Sequence, residues 1–153
     1  MSVSESTTLR FERIEEKYLP AVLEIEAEAY PEPWTEGMFR DEIRNPRSQF
    51  YVAFLGEEII GYGGYWPVLD EAHITSVTIK ASMRGYGYGR RLLQHLLDSA
   101  RELGLTTATL EVRESNLRAR NLYASFGFQP SGLRKRYYPK TNEDAVIMLM
   151  RME

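Results

Sequence analysis

The chain has 153 residues and no Cys, with 43% hydrophobic and 27% charged residues. That length suits one domain with a real core rather than two lobes around a cleft; no stretch approaches the roughly 18 apolar residues of a membrane helix, so no membrane partner is expected. The missing Cys excludes a disulfide scaffold, a Cys nucleophile and thiolate metal sites, and makes the cytoplasm the expected compartment.

Net charge is −3 with pI ≈ 5.6, so nucleic acid is not an expected partner. The charge is unevenly spread: residues 1–76 carry six Lys/Arg against fifteen Asp/Glu, whereas residues 77–153 carry thirteen against seven. The split suits either a protein that brings a polyanionic small molecule to a cationic partner or an uneven surface of no consequence.

Residues 1–8 lack the basic region and apolar run of an export signal and read as a frayed tail, leaving one domain over residues 9–153. Leu9 to Ile14 alternates as a short strand. Tyr18 to Ala29 carries Leu19, Val22, Leu23 and Ile25 at helical spacing, and Tyr30-Pro-Glu-Pro-Trp34 breaks it. Thr35 can cap a second helix through Arg44, which Asn45-Pro46 ends. Phe50 to Leu55 and Glu58 to Trp66 read as a hairpin turning near Gly56, and Ala72 to Ile79 as the next strand. A long helix from Gly87 to Leu103 presents Leu92, Leu93, Leu96, Leu97 and Ala100 on one face, with Gly104 placed at its end. Thr106 to Val112 is a strand rich in β-branched residues, and Ser115 can cap a helix through Ser125. Phe128 to Tyr138 and Ala145 to Met150 form a last hairpin across Pro139-Lys-Thr-Asn142. The sum is an α/β (α+β) domain of about seven strands and four helices. Hairpins impose antiparallel pairing, and the strand-helix-strand units of the second half predict parallel pairing, so the sheet is mixed with helices on both faces.

Two segments carry chemistry. Arg84-Gly-Tyr-Gly-Tyr-Gly-Arg-Arg91 joins a strand to the long helix, where glycines let main-chain N–H groups approach a ligand and the helix start favours phosphate oxygens. The alternative is a turn without a ligand. Arg90 stands where a dinucleotide fingerprint needs its third Gly, and no Gly-Lys-Ser/Thr completes a P-loop. The two histidines, His73 and His95, form no His-Glu-x-x-His, and no Gly-x-Ser-x-Gly elbow is present, so neither a metal nor a serine nucleophile is expected.

The second segment is Leu110-Glu-Val-Arg-Glu-Ser-Asn116, followed by Leu122-Tyr-Ala-Ser-Phe-Gly-Phe128. With Leu110 and Val112 pointing into the core, Glu111 points away from it near the end of a central strand, where open α/β sheets expose ligands. Asn116 is placed either to bond a ligand amide or to cap the next helix, and Tyr123 is either functional or a core aromatic.

Taken together, Arg84-x-x-Gly87-x-Gly89 after a strand, Leu110-Glu-Val-Arg113 with Ser115-Asn116, Leu122-Tyr123 with Gly127-Phe128, and Arg136-Tyr-Tyr-Pro139 ahead of Glu143-Asp-Ala-Val-Ile-Met148 resemble the GNAT acetyltransferases, and within them the RimI-type protein N-terminal acetyltransferases. The resemblance covers the chain from about Phe11 onward and is most specific between Ile74 and Met148. It implies a GNAT fold in which acetyl-CoA, the co-substrate, lies in a splay between the fourth and fifth strands. Val77, Thr78 and Ile79 would bond the pantetheine arm through their main chain. Gly85, Tyr86, Gly87, Tyr88, Gly89 and Arg90 would hold the pyrophosphate, Arg84 would belong to the same cofactor site, and Asn116 would meet the pantetheine portion. The resemblance assigns a general base to Glu111 and a general acid to Tyr123.

The implied acceptor is the N-terminal α-amine of a protein or peptide, a ribosomal protein among the candidates, taken by a monomer. It would lie against Tyr30, Glu32, Trp34, Tyr137 and Tyr138; ordinary packing is the other reading of Trp34 and Tyr138. Such enzymes often carry Asn where Arg136 stands, which leaves the acceptor preference open, while Arg84 in place of the frequent Gln is an accepted alternative. The rival readings are a GNAT enzyme acting on lysine or a small amine, and a noncatalytic acyl-CoA-binding module.

Overall fold

The elements follow the expected order with ends moved by a residue or two, and burial alternates strictly along Thr107–Arg113. The computed structural model describes residues 8–152, so the expected tail lies, apart from Thr8, outside the described residues. The strands are β1 (Leu9–Arg13), β2 (Gln49–Leu55), β3 (Glu58–Val68), β4 (Glu71–Ile79), β5 (Thr107–Arg113), β6 (Gln129–Tyr138) and β7 (Glu143–Arg151). The α-helices are α1 (Leu19–Ala29), α2 (Glu36–Arg44), α3 (Tyr88–Glu102) and α4 (Leu117–Phe126). Thr35 caps α2 as its sequence position demands, its hydroxyl accepting from Met38 N–H at 3.2 Å.

One seven-stranded sheet runs in the order β1-β2-β3-β4-β5-β7-β6. Only β4 and β5 pair in parallel among the described strands. The second parallel pair expected from the strand-helix-strand pattern, β5 with β6, is not made. β7 lies between them, antiparallel to both. The reason is written in the two strands: β7 buries Ala145, Val146, Met148 and Met150, whereas β6 is exposed almost throughout and carries Pro130, Arg134 and Lys135. The apolar strand takes the interior place and the charged, proline-bearing strand takes the edge.

Apolar helix stripes cover both faces. Leu19, Val22 and Ile25 of α1 and Phe39 of α2 pack with Phe50, Val52, Phe54 and Tyr62. On the other face Leu92, Leu93, Leu96 and Leu97 of α3 pack with Ala108, Leu110, Tyr123 and Phe128. Those four leucines are 0–1% exposed, and each contributes about 1.5–3 kcal/mol by leaving water.

What positions the site is a break in the middle of the sheet. Parallel pairing of β4 with β5 runs only from Glu71↔Thr107 to His73↔Thr109. Just beyond it the register of β4 against β3 slips: Tyr65 faces Ile74 and Gly64 faces Ser76, so Thr75 is an extra residue. A bulge of this kind bends its strand and sharpens its twist. From Ile74 on, β4 therefore diverges from β5 and leaves one main-chain edge open.

Candidate active site

The divergence opens a cavity of about 430 Å³ between β4 and β5. Ile74 to Val77 form one wall and Thr109 to Arg113 the other, while Asn116, Ala119 and Tyr123 of α4 close one side. Tyr30, Glu32 and Trp34 from the α1–α2 connection and Arg134, Tyr137 and Tyr138 from β6 also line it. Both residues expected to act on protons thus share one cavity with all five residues expected at the acceptor.

Alternation along β5 sends Leu110 and Val112 into the core, at 4% and 5% exposure, and turns Glu111 into the cavity. Arg134 forms an ion pair with Oε2 of Glu111. The pair lacks hydrogen-bond geometry, and Oε2 is otherwise buried with no donor among the described residues. A proton-bearing ligand entering the cavity would therefore meet this carboxylate beside the Arg134 guanidinium.

Tyr123 is buried in α4, edge-on to Phe128 at 5.8 Å, with its flank on the cavity. Burial pushes its hydroxyl above the usual phenol range, and the neighbouring Tyr30 and Tyr138 add to this. Burial likewise raises Tyr30, and raises Tyr138 to about 12. Three phenols around one cavity therefore keep their protons near neutrality and act as donors.

At the far end of the open edge, Gly85 and Gly87 adopt φ of 90° and 85°, which L side chains rarely take. A Cβ at either would meet no atom within 4 Å, so the turn faces open space. Gly87 is the N-cap of α3 and offers no side chain, so the first-turn N–H groups of Tyr88, Gly89 and Arg90 have no carbonyl partner within the helix. Gly89 differs, since a Cβ there would touch Ile79 and Leu122 at ordinary distances of 3.6 and 3.8 Å. A donor-rich turn at a helix start, continuous with an unpaired strand edge, fits a pyrophosphate joined to an amide-bearing arm.

Several expected ligand residues have side chains engaged elsewhere. Arg90 donates to Ser125 Oγ at 2.7 Å and lies over the Phe126 ring, bracing α3 against α4, so it faces the turn through its main chain. Arg84 Nε donates to Ile79 O at 3.1 Å. Thr78 is buried and shares a 2.6 Å hydrogen bond with Tyr30. Asn116, rather than Ser115, caps α4: its Oδ1 accepts from Ala119 N–H at 3.1 Å, and the residue lines the cavity. Ser115 instead donates its N–H to Glu143. Tyr86 is exposed beside Tyr88, with rings 6.0 Å apart.

Three charged lining residues were given no site role from sequence: Arg134, Arg113 and Glu26. Glu26 is 4% exposed and accepts from Trp34 N–H at 2.9 Å and from the Tyr62 hydroxyl at 2.6 Å. Desolvation raises its carboxyl above the usual range, partly opposed by those two bonds. It holds the connection that carries Trp34. Among the described residues no group of three or more His, Asp or Glu converges as a metal site, and no helix is long and apolar enough to cross a membrane.

The model of the acetyltransferase (GNAT) family matches residues 19–128. A Bacillus subtilis (strain 168) relative is 41% identical over 128 residues, spanning 83% of this chain and 85% of its own. The [ribosomal protein bS18]-alanine N-acetyltransferase of Escherichia coli (strain K12) is 37% identical over 134 residues, 86% of this chain and 90% of the relative. The crystal structure of the ribosomal-protein-S18-alanine N-acetyltransferase from Escherichia coli superposes with a TM-score of 0.88, covering 95% of each chain at 33% identity.

Proposed function

This chain belongs to the acetyltransferase (GNAT) family and is an acetyl-CoA-dependent N-acetyltransferase; from that premise we propose that it acetylates the N-terminal alanine of ribosomal protein bS18, with Glu111 as general base and Tyr123 as general acid. The observation that carries the reading is a single cavity, beside an unpaired strand edge, lined by Glu111 and Tyr123 together.

Acetyl-CoA supplies the acyl group as a thioester. The open edge at Val77, Thr78 and Ile79 offers main-chain groups to its amide arm, the Gly85–Arg90 turn offers N–H groups to its phosphates, and Asn116 meets the pantetheine portion. The acceptor amine must be neutral to attack. An α-amine of pKa near 8 costs about 1.4 kcal/mol to deprotonate at pH 7, whereas a lysine near 10.4 costs about 4.6 kcal/mol. One carboxylate, working directly or through a water, suffices for the first task. Glu111 takes one proton from the ammonium and passes it to solvent; the neutral nitrogen attacks the acyl carbon and gives its second proton to Glu111 as the C–N bond forms. The C–S bond then breaks with Tyr123 donating to the departing sulfur, the proton held by Glu111 returning through solvent to the phenolate. Tyr30, Trp34, Tyr137 and Tyr138 wall the groove for the first residues of the acceptor. A ribosomal acceptor puts the reaction in the cytoplasm.

The test is incubation with acetyl-CoA and bS18 bearing a free N-terminal alanine, followed by mass spectrometry. Acetylation at that terminus supports the reading. Turnover confined to free small amines would replace the acceptor class, and tight coenzyme binding without release of CoA toward any acceptor would make this a binding module.

A further inference from the structure

We infer that Arg113 is a positioning residue for the acceptor: it ties the α1–α2 connection to the β6–β7 turn across the mouth of the cavity. This rests on the reading of that cavity as the acceptor site. Arg113 ends β5, and its side chain is only 12% exposed. Its guanidinium donates through Nη1 to Thr141 Oγ1 at 2.7 Å and to Glu143 Oε1 at 3.4 Å, and its Nη2 lies 3.7 Å from Glu32 Oε2. Its face lies 3.9 Å from the centre of the Tyr138 ring. Glu32 in turn accepts the Lys140 N–H with both oxygens at 3.3 Å.

One cation thus holds two carboxylates and an aromatic wall that belong to three different segments. Among the described residues, the hydrogen bonds and ion pairs that join the α1–α2 connection to the β6–β7 hairpin run through Glu32, one to Lys140 and one to Arg113. The hairpin needs such a tie. Regular pairing of β6 with β7 lapses between Arg134↔Ala145 and Tyr138↔Glu143, and Arg136 within the lapse takes a φ of 50°. Without the guanidinium, Glu32 and Glu143 would be like charges facing one another with only the Lys140 N–H between the walls. The planar fork and the ring contact also make Arg113 poorly replaceable by lysine, which keeps the charge and loses both. Glu32, expected to lie against the acceptor, is on this account one half of the tie. The glycine turn and the open edge of β4 have no part in it, so acetyl-CoA should not sense the loss.

The experiment compares wild type, Arg113→Met and Arg113→Lys by steady-state kinetics on an N-terminal peptide of bS18 and by amide hydrogen exchange. For Arg113→Met, the acceptor KM should rise about tenfold or more, equivalent to 1.4 kcal/mol or more, while the acetyl-CoA KM stays within about twofold; Arg113→Lys should recover part of the loss. Exchange in residues 30–35 and 138–143 should quicken together in Arg113→Met. An unchanged acceptor KM, or equal rises for both substrates, overturns the assignment. If wild type acetylates no peptide, the acceptor reading fails by itself, and the exchange arm decides the tie: unchanged protection in either segment overturns it.

Discussion

Replacing Glu111 with Gln keeps the shape of the side chain and removes the only function the account requires of it. Glu111 lines the cavity, and the contact of its Oε2 with Arg134 is an ion pair without hydrogen-bond geometry, so the substitution breaks no hydrogen bond to that atom. The lost ion pair is with Arg134, whose side chain is 57% exposed; exposed pairs of this kind contribute about 0–1 kcal/mol, so the fold survives. Loss of a positioned base lowers kcat/KM by about 10²–10⁴-fold at pH 7. The pH dependence is the sharper signature. With the carboxylate present, a bound ammonium is deprotonated by Glu111 before attack, so the bound acceptor reacts as the neutral amine at either pH and the rate changes little between pH 7 and 9. The Gln variant can use only the neutral amine, which for a pKa near 8 rises from about 9% to about 91% over that interval. Its rate should therefore climb about tenfold while the wild type stays level. Release of free CoA, followed with a thiol reagent at each pH, measures both. Parallel profiles, or a wild-type rate at pH 7 in the variant, would refute the assignment of the base.

Tyr123→Phe should bind acetyl-CoA as wild type does by calorimetry and lose about 10²-fold or more in kcat; an unchanged rate would move the acid to another group, such as a water. Gly87→Glu sets a carboxylate and a β-carbon at a φ of 85° in the turn that faces the phosphates, and calorimetry should register no association with acetyl-CoA while circular dichroism stays native. Arg136 pays for a φ of 50°, where Asn is better tolerated, so Arg136→Asn should raise stability by about 0.5–1 kcal/mol, read from denaturant midpoints. Glu26 has a folded-state pKa raised by burial, so its contribution to stability is fully present below the unfolded value and is lost as pH rises through the folded one. The Tm of Glu26→Gln relative to wild type should accordingly improve between pH 4 and pH 8, and a constant or declining difference would contradict the burial argument.

Short-range pattern made much of the fold legible. Alternation along Thr107–Arg113 determined which side of β5 Glu111 occupies, and the run of leucines determined the buried face of α3. Adjacent capping residues were harder: Ser115 and Asn116 are both good caps, and the choice fell to Asn116 because the Ser115 side chain as well as its N–H is drawn to Glu143 from a strand far along the chain. Strand order was misread at β6, because a strand-helix-strand pattern predicts a parallel neighbour and does not reveal that the return strand, being apolar, inserts between. The Thr75 bulge that opens the cavity leaves no mark in the periodicity of a half-buried strand. Arg113, Arg134 and Glu26 were out of reach for a related reason. Their partners, Glu32 and Glu143, Glu111, and Tyr62 respectively, are set by long-range packing, and nothing in their own neighbourhoods distinguishes them from solvated charges.

The most direct measurement uses one peptide that carries both a free N-terminal alanine and an internal lysine, incubated with the enzyme and acetyl-CoA and fragmented in the mass spectrometer. The account predicts a single acetyl group on the terminal nitrogen with the lysine untouched. An acetyl group on the lysine, with the terminus left free, would contradict it.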